Sequence, residues 1–234
     1  FPKMVLHFDV GRQISVQALN AAVQGERKIF MVAQKDIATD EIRSDLLYNV
    51  GVVASVRQIL KPRDDVLRVV VEGEYRAKLL EVTGTDPYIS ARCIEHPMRQ
   101  PRYGNTILCE ALIRTVKDYF EEYCMLSPKM PREFVMGVFM SDDPVYITEY
   151  IAGNIPMGVE RKQALLEQNS PTRRLEMLAG YLESENQILN TEQEIQEKVR
   201  EQIDKNQREY YLREQMKAIA QELDRHGLSR AQAC

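Results

Sequence analysis

Apolar and polar residues alternate over the first part of the chain, up to about His96. Short alternating runs that end at turn residues are typical of strands in a small β domain. One helix is predicted from about Gln13 to Gly25, where glycine is expected to end it in the left-handed conformation. Pro62-Arg63-Asp64-Asp65 predicts a hairpin turn between antiparallel strands. The predicted strands are 4–9, 28–33, 51–60, 66–74, 75–82 and 88–94.

Helical spacing replaces this alternation after a boundary marked by Pro97, Pro101 and Gly104. Apolar residues at helical spacing predict one helix through 108–120 and another over 132–140. Two further helix starts are predicted where a capping residue precedes proline, at 142–144 and 170–171, and Gly153 is expected to end the first. The predicted fold class is therefore α+β, with a β domain followed by an α-helical bundle.

A very long helix is predicted at the end of the chain, from Pro171 to about Asp224, because neither glycine nor proline occurs between Tyr181 and His226. Its length would be roughly 80 Å. Aliphatic residues are sparse in its middle, so most of its surface is expected to be solvated, leaving a thin stripe for a neighbouring helix or a partner. The predicted contact residues are Ile195, Val199, Ile203, Tyr210, Tyr211 and Met216.

Composition narrows the function classes. Of the 234 residues, 44% are hydrophobic and 28% are charged, which is the ordinary composition of a globular protein. The formal net charge of -4 gives no overall positive potential that would attract a polyanion such as nucleic acid. The four cysteines form no closely spaced pair, which favours reduced thiols. No apolar run has transmembrane length. These features predict a soluble protein of a reducing compartment, without a membrane partner.

Catalytic and metal-binding patterns are missing from the sequence. None of the 11 glycines is followed by lysine, as a phosphate-binding loop requires, and no serine lies in a Gly-x-Ser-x-Gly turn. Cys93 and His96 are three positions apart, but no second pair is spaced to complete a zinc site. We therefore expect no catalytic, cofactor-binding or metal site in this chain.

A nucleic-acid-binding module is one alternative. Arg92, Arg99, Arg102 and Tyr103 combine basic charge with an aromatic ring, as many RNA-binding surfaces do. Acidic residues at 95 and 110 interrupt this patch, and the prediction is against nucleic acid as a partner.

Several segments together resemble the N-terminal region of Lon proteases, which are ATP-dependent proteases with an AAA+ module. The most particular is 206–223, Asn-Gln-Arg-Glu-Tyr-Tyr-Leu-Arg-Glu-Gln-Met-Lys-Ala-Ile-Ala-Gln-Glu-Leu, which resembles the segment leading into the ATPase. Collinear matches cover nearly the whole chain. They include Asp9-Val10-Gly11-Arg12, Val32-Ala33-Gln34-Lys35-Asp36, Val70-Val71-Glu72-Gly73, Pro128-Lys129-Met130-Pro131, Asp142-Asp143-Pro144 and Arg174-Leu175-Glu176.

The resemblance implies a PUA-like β domain over 1–97, a helical bundle over 104–170 and a long helix over 171–224 that leads to the ATPase. The tail 225–234 does not resemble the family and is interpreted as non-native. The parent would be a cytoplasmic homohexamer that uses ATP and Mg²⁺ and cleaves proteins with a serine-lysine dyad. The family's first strand would precede Phe1, which predicts an unpaired β edge.

The resemblance also implies that this chain recognises substrates and helps to organise the hexamer, without enzymatic activity of its own. The expected ligands are unfolded or exposed hydrophobic segments of damaged and regulatory proteins. Candidate contact residues are Met4, Val5, Phe8 and Met98. All four can also be core residues, and the core interpretation is favoured for Val5 and Phe8. A nucleic-acid-binding module and a structural coiled-coil spacer remain the alternatives.

Overall fold

The computed structural model describes residues 1–36, 44–63, 66–99, 106–127 and 130–231. Strands and helices within them confirm the predicted α+β class, with the strands and one helix first and the other helices after. The strands are β1 (Val5–Val10), β2 (Lys28–Met31), β3 (Val50–Arg63), β4 (Val66–Gly84) and β5 (Ser90–Glu95). The helices are α1 (Gln13–Gln24), α2 (Thr106–Leu126), α3 (Arg132–Phe139), α4 (Pro144–Asn154), α5 (Val159–Glu167) and α6 (Pro171–Ala231).

The described strands form one antiparallel sheet in the order β1-β4-β3-β2, and β5 pairs with the second half of β4. The predicted antiparallel pairing across 62–65 is confirmed by β3 and β4, although part of the predicted turn lies outside the described residues. Alternate residues of the central strands point into one core with Leu19 of α1. The core residues are Val10, Leu19, Ala54, Val56, Leu67, Val69 and Val71.

The prediction of two strands at 66–74 and 75–82 is wrong, because β4 is continuous and changes partner along its length. Its first half pairs with β1 and its second half with β5, and the register against β3 shifts beside Glu74. Such a bulge bends a strand without ending it. Gly73 accepts a hydrogen bond from the N–H of Lys3 and donates one to Met4, and a Cβ there would collide with the backbone of Phe1.

Two predicted helix ends are also corrected. Gly25 follows α1, but its φ of -104° is not left-handed, and its N–H bonds to the carbonyls of Ala21 and Ala22. Helix α4 continues one residue past Gly153, to Asn154. Helix α5 has no counterpart among the predicted elements. The start of α4 is as predicted, and the Asp143 carboxylate accepts a hydrogen bond from the N–H of Val145 at 2.9 Å.

Aromatic rings connect the helices of the bundle. The ring of Phe120 on α2 lies edge-on to Phe134 of α3 at 5.4 Å, and Phe134 contacts Tyr150 of α4 at 5.1 Å. Val116, Ile147 and Leu178 are fully buried. These contacts give the helical part a core of its own beside the sheet.

The chain divides into two compact units, Phe1–Glu183 and Ser184–Cys234. The first contains the sheet, α1 to α5 and the first turns of α6. In the second, α6 continues to Ala231, seven residues past the predicted end, and every residue from 190 to 225 is exposed. No helix among the described residues has both the length and the apolar character needed to cross a membrane.

Candidate functional site

A cleft of about 340 Å³ lies in the first unit where the sheet meets α4. We call it the junction cleft. Its charged lining includes the carboxylates of Glu74, Glu95, Asp143 and Glu149. Its apolar and aromatic lining consists mainly of Met4, Tyr75, Pro97, Met98, Tyr146 and Tyr150.

Two tyrosines one helical turn apart form the α4 wall of the junction cleft. The rings of Tyr146 and Tyr150 stack at a centroid distance of 4.9 Å and an interplanar angle of 18°. Burial, followed by the neighbouring Tyr150, raises the pKa of Tyr146, so its hydroxyl stays neutral near neutral pH. Phe134 supports Tyr150 from behind, which fixes the orientation of the wall.

Met4 lies against this helix because residue 153 is glycine. A Cβ at Gly153 would occupy the place of the Met4 thioether. Met4 immediately precedes β1, whose pairing with β4 fixes its position through the hydrogen bonds at Gly73. The close approach of β1 to α4 thus depends on two glycines in different parts of the fold.

Two arginines and one glutamate form a buried cluster beside the junction cleft, which Arg76 and Glu149 line. Arg76 is 3% exposed, Arg174 is fully buried, and Glu149 lies 2.9 Å from Arg174. Burial, and then the charge of Arg174, lower the pKa of Arg76 to about 10, while Glu149 opposes this shift. Burial also lowers the pKa of Arg174, again opposed by Glu149. With a pKa of about 10, the guanidinium of Arg76 nevertheless remains charged at neutral pH.

Hydrogen bonds to backbone carbonyls connect α5 and its C-terminal end to the sheet. Arg76 donates from Nη1 to the carbonyls of Leu166 and Gln168 at 2.7 and 3.0 Å. The amide of Gln163 donates to the carbonyl of Val50 at 2.8 Å. These bonds span about ninety residues or more of sequence, so the walls of the cleft have a defined geometry.

The structure brings two of the four predicted contact residues together. Met4 and Met98 both line the junction cleft. The core interpretation of Val5 and Phe8 is wrong, since they are 52% and 36% exposed. Side chains on both faces of β1 are exposed from Val5 to Asp9, and its last residue, Val10, is buried. Their role in contacting a substrate stays a prediction.

A second cavity, of about 700 Å³, lies between α1, β2 and the segment 88–91. We call it the helix groove. Phe8, Ile14, Ala18, Ile29 and Met31 contribute to its lining. Its lining lacks the aromatic stack and the buried arginine of the junction cleft, although it is the larger cavity.

The six predicted contact residues of the long helix are all exposed. Ile195, Val199 and Ile203 are 54%, 52% and 51% exposed. Tyr210, Tyr211 and Met216 are more exposed still. Their surfaces are accessible to a partner, and the partner itself stays a prediction.

Sequence reasoning missed the tyrosines and the buried arginines. The spacing of Tyr146 and Tyr150 by one turn of a predicted helix was an available signal for a shared face. Nothing comparable indicates the burial of Arg174, because arginine is rarely buried and its partners come from other helices. In the predicted basic patch, Arg92 pairs with Glu81 at 2.9 Å, whereas Arg102 and Tyr103 lie outside the described residues.

The fold is that of a Lon N-terminal domain. The solved structure of the N-terminal domain of Mycobacterium avium complex Lon protease matches it with a TM-score of 0.62 and 21% sequence identity, covering 78% of this chain and 91% of that one. Residues 1–184 match the ATP-dependent protease La (LON) substrate-binding domain. The chain belongs to this family.

Curated relatives extend the similarity beyond the domain itself. Lon protease of Heliobacterium modesticaldum is 40% identical over 223 residues, and that of Escherichia coli K12 is 39% identical over 225 residues. Each alignment covers 95% of this chain but only 27% or 28% of the relative. The chain thus spans about a quarter of the length of these proteins.

Proposed function

We propose that the chain is the substrate-recognition part of an ATP-dependent Lon protease and that the junction cleft binds apolar segments of unfolded or damaged proteins. The observation that supports this best is the meeting of Met4, Met98 and the Tyr146–Tyr150 stack in one open cleft. Thioethers adapt to varied side chains, and tyrosines supply large apolar surfaces with polar edges.

The junction cleft would bind unfolded proteins in preference to native ones. A native globular protein hides its apolar segments, whereas an unfolded chain displays them. Each contact with a cleft of this size would be weak, but several copies around one entrance would raise the overall affinity. A homohexameric parent, in the cytoplasm, would supply those copies.

Catalysis would belong to other parts of such a parent, which would use ATP and Mg²⁺. We expect this chain alone neither to hydrolyse ATP nor to cleave protein, because its sequence contains no phosphate-binding loop or serine-lysine dyad at recognisable spacing. Assays of phosphate release from ATP and of casein cleavage, with repurified protein, test these two expectations. Saturable, magnesium-dependent turnover would contradict this expectation.

Hexamer organisation is the second part of the proposal. Ile195, Val199 and Ile203 form a half-exposed stripe on α6 that would contact a helix of a second copy. Tyr210, Tyr211 and Met216 would extend the apolar surface towards the end of the helix. The stripe is thin, so the association of this chain alone would be weak and dependent on concentration.

Recognition is tested by titrating the chain with a reduced and alkylated protein and with its native form, at about 50 and 200 mM salt. We expect binding to the unfolded form alone, with little dependence on salt. The Met4→Glu variant should lose affinity because it places a charge in the junction cleft. Met125→Glu is the matched control, because Met125 is 72% exposed on α2 and does not line the cleft.

Other outcomes would support the alternatives. Tight RNA binding that falls steeply with salt would favour a nucleic-acid-binding module. Equal affinity for the folded and unfolded forms, or no affinity for either, would refute recognition of unfolded protein. The structural coiled-coil spacer would then be the remaining interpretation of the chain. Equal losses in Met4→Glu and Met125→Glu would show that the junction cleft is not the site.

A further inference from the structure

The second unit carries a row of nine residues along one side of α6. They recur at every third or fourth position, so they share one face of the helix. We call this row the α6 seam. Its members are Glu185, Ile188, Glu192, Ile195, Val199, Ile203, Asn206, Tyr210 and Arg213. All of them belong to the second unit, and each one from Ile188 onward is exposed.

The α6 seam is symmetric about Val199. In either direction from Val199, the next members follow after 4, 3, 4 and 3 residues. Their chemical character is symmetric as well, since each direction has an isoleucine first, then a polar residue, an apolar residue and a charged residue. A second copy that runs in the opposite direction can therefore place a residue of the same kind opposite every member of the seam.

Two arrangements of a second copy bring apolar residues together along the whole seam. In a parallel pair in register, each member faces its own equivalent. In an antiparallel pair, Ile195 faces Ile203 of the second copy. Ile188 then faces Tyr210, and the two Val199 side chains meet on the twofold axis. Apolar contact is equally complete in both arrangements, so the choice between them depends on the polar members.

The charges of the seam favour the antiparallel pair. A parallel pair places Glu185, Glu192 and Arg213 each opposite its own equivalent, which makes three contacts between like charges. An antiparallel pair places Glu185 opposite Arg213, and the twofold axis repeats this contact between opposite charges.

The remaining polar members are also compatible in the antiparallel pair. Glu192 faces Asn206 of the second copy, so a carboxylate meets an amide instead of another carboxylate. The Oδ1 of Asn206 accepts a hydrogen bond from Gln202 at 3.0 Å. Its Nδ2 group is a donor, which is what a carboxylate requires.

We propose that two copies of the chain pair antiparallel along the α6 seam, on a twofold axis at Val199. The proposal rests on the proposed function, which assigns a second copy to this face of α6. The seam extends over 28 residue steps, from 185 to 213, or about 42 Å of helix. Twofold pairing is complete with two copies. The seam therefore produces dimers, and a larger assembly requires contacts outside it.

Charge reversal separates the two arrangements. Glu185→Arg places arginine opposite Arg213 in the antiparallel pair, so we expect the Kd of the dimer to rise about fivefold or more. Arg213→Glu should weaken pairing similarly, and the double variant Glu185→Arg/Arg213→Glu should restore it. In a parallel pair, each change only exchanges one contact between like charges for another. Sedimentation equilibrium at about 50 mM salt, where screening is weak, measures the Kd.

Glu201→Arg is the matched control for charge reversal. Glu201 is exposed, and by the helical periodicity it lies on the side of α6 opposite the seam. The same change of charge there should leave the Kd unchanged. Equal weakening by Glu201→Arg, unchanged pairing in both seam variants, or no recovery in the double variant would overturn the antiparallel pair.

A distance between two spin labels measures the orientation directly. Gln187→Cys, in a variant whose four native cysteines are replaced by Ser, carries one label on each copy, beside the seam. In the antiparallel pair, position 187 lies opposite 211, so the labels are about 36 Å apart along the helix axis. In a parallel pair they are separated mainly by the interaxial distance of about 10 Å. A measured distance below about 25 Å would overturn the proposal, being too short for the antiparallel rise.

Failure of the antiparallel pair is distinguishable from failure of the proposed assembly role. A wild-type chain that stays monomeric over about a hundredfold range of concentration would overturn both. Self-association that Gln at Ile195, Val199 and Ile203 weakens, but that charge reversal leaves unchanged, would retain the stripe as the contact. That result would overturn only the antiparallel orientation.

Discussion

The two ends of α6 differ in burial although both carry apolar residues at helical spacing. Leu175, Leu178 and Leu182 are fully buried in the first unit, whereas Ile195, Val199 and Ile203 are about half exposed in the second. Periodicity therefore identifies the apolar face of a helix. It does not identify what covers that face, because burial depends on a surface contributed by other parts of the chain or by another molecule.

Adjacent arginines show the same contrast for charge. Arg173 pairs with Glu176 and Arg174 with Glu149, both at 2.9 Å. The first arginine is 68% exposed and the second fully buried. An exposed pair contributes little, whereas removing one partner of a buried pair leaves an uncompensated charge. Distance alone therefore does not rank these interactions.

The largest predicted effect follows from that contrast. Glu149→Ala should reduce the free energy of unfolding by about 3–5 kcal/mol, because Arg174 stays buried without its anion. Glu176→Ala, the control at the same distance from its arginine, should cost less than about 1 kcal/mol. Equilibrium urea unfolding measures both. Similar losses in the two variants would contradict the assignment of Arg174 as a buried charge.

Truncating one leucine at each end of α6 tests the contrast in apolar burial. Leu178→Ala should cost about 2–5 kcal/mol, because it opens a cavity in a packed core. Leu212→Ala, where the side chain is 50% exposed, should change the free energy of unfolding by no more than about 0.5 kcal/mol. The same urea titration applies. A large loss in Leu212→Ala would show that this face packs against a partner in solution.

Local sequence signals predicted those features of the fold that have local causes. The start of α4 at Asp143-Pro144 and of α6 at Pro171 follow from capping and from the fixed φ of proline. The continuity of β4 was missed because it depends on Gly73, where the backbone near Phe1 approaches from a distant part of the sequence. The alternation of apolar and polar residues does not show whether a strand bends or ends at such a point.

Only two methionines of the candidate site were predicted from the sequence, and their meeting in one cleft was not. Met4 and Met98 were identified as candidate contacts, and their meeting in one cleft depends on pairing of β1 with β4 and on the hydrogen bonds of Arg76. Phe8 was misinterpreted as core because alternation on a strand does not reveal whether another layer of the structure covers that face of the sheet. Arg174 acquires its burial from α4 and α5, which no local pattern encodes.

The helix cap at Asp143 should have an intermediate effect. Asp143→Ala removes the side-chain acceptor for the N–H of Val145 and should cost about 1 kcal/mol. Asp142→Ala is the neighbouring control, because Asp142 is 91% exposed and forms an ion pair with Lys117 at 3.0 Å. Its cost should be smaller. Reversal of this order in thermal unfolding would contradict the capping role.

The smallest effect on unfolding is expected for the apolar stripe of α6, where the effect on self-association should be largest. Changing Ile195, Val199 and Ile203 together to Gln should leave the free energy of unfolding of the first unit within about 0.5 kcal/mol, since all three side chains are half exposed. Self-association should weaken, because the stripe supplies the apolar contact between copies. Light scattering over about a hundredfold range of concentration measures this, and only a concentration-dependent mass fits weak pairing.

Glu197, Glu201 and Arg208 provide the control for that stripe. They lie on the opposite side of the same helix by its periodicity of 3.6 residues per turn. Their joint replacement by Gln should leave self-association unchanged, because no apolar surface is lost. A hexamer that persists at the lowest concentration in the stripe variant would place the assembly contacts elsewhere. Equal weakening by both triple variants would mean that charge, rather than the apolar stripe, controls pairing along α6.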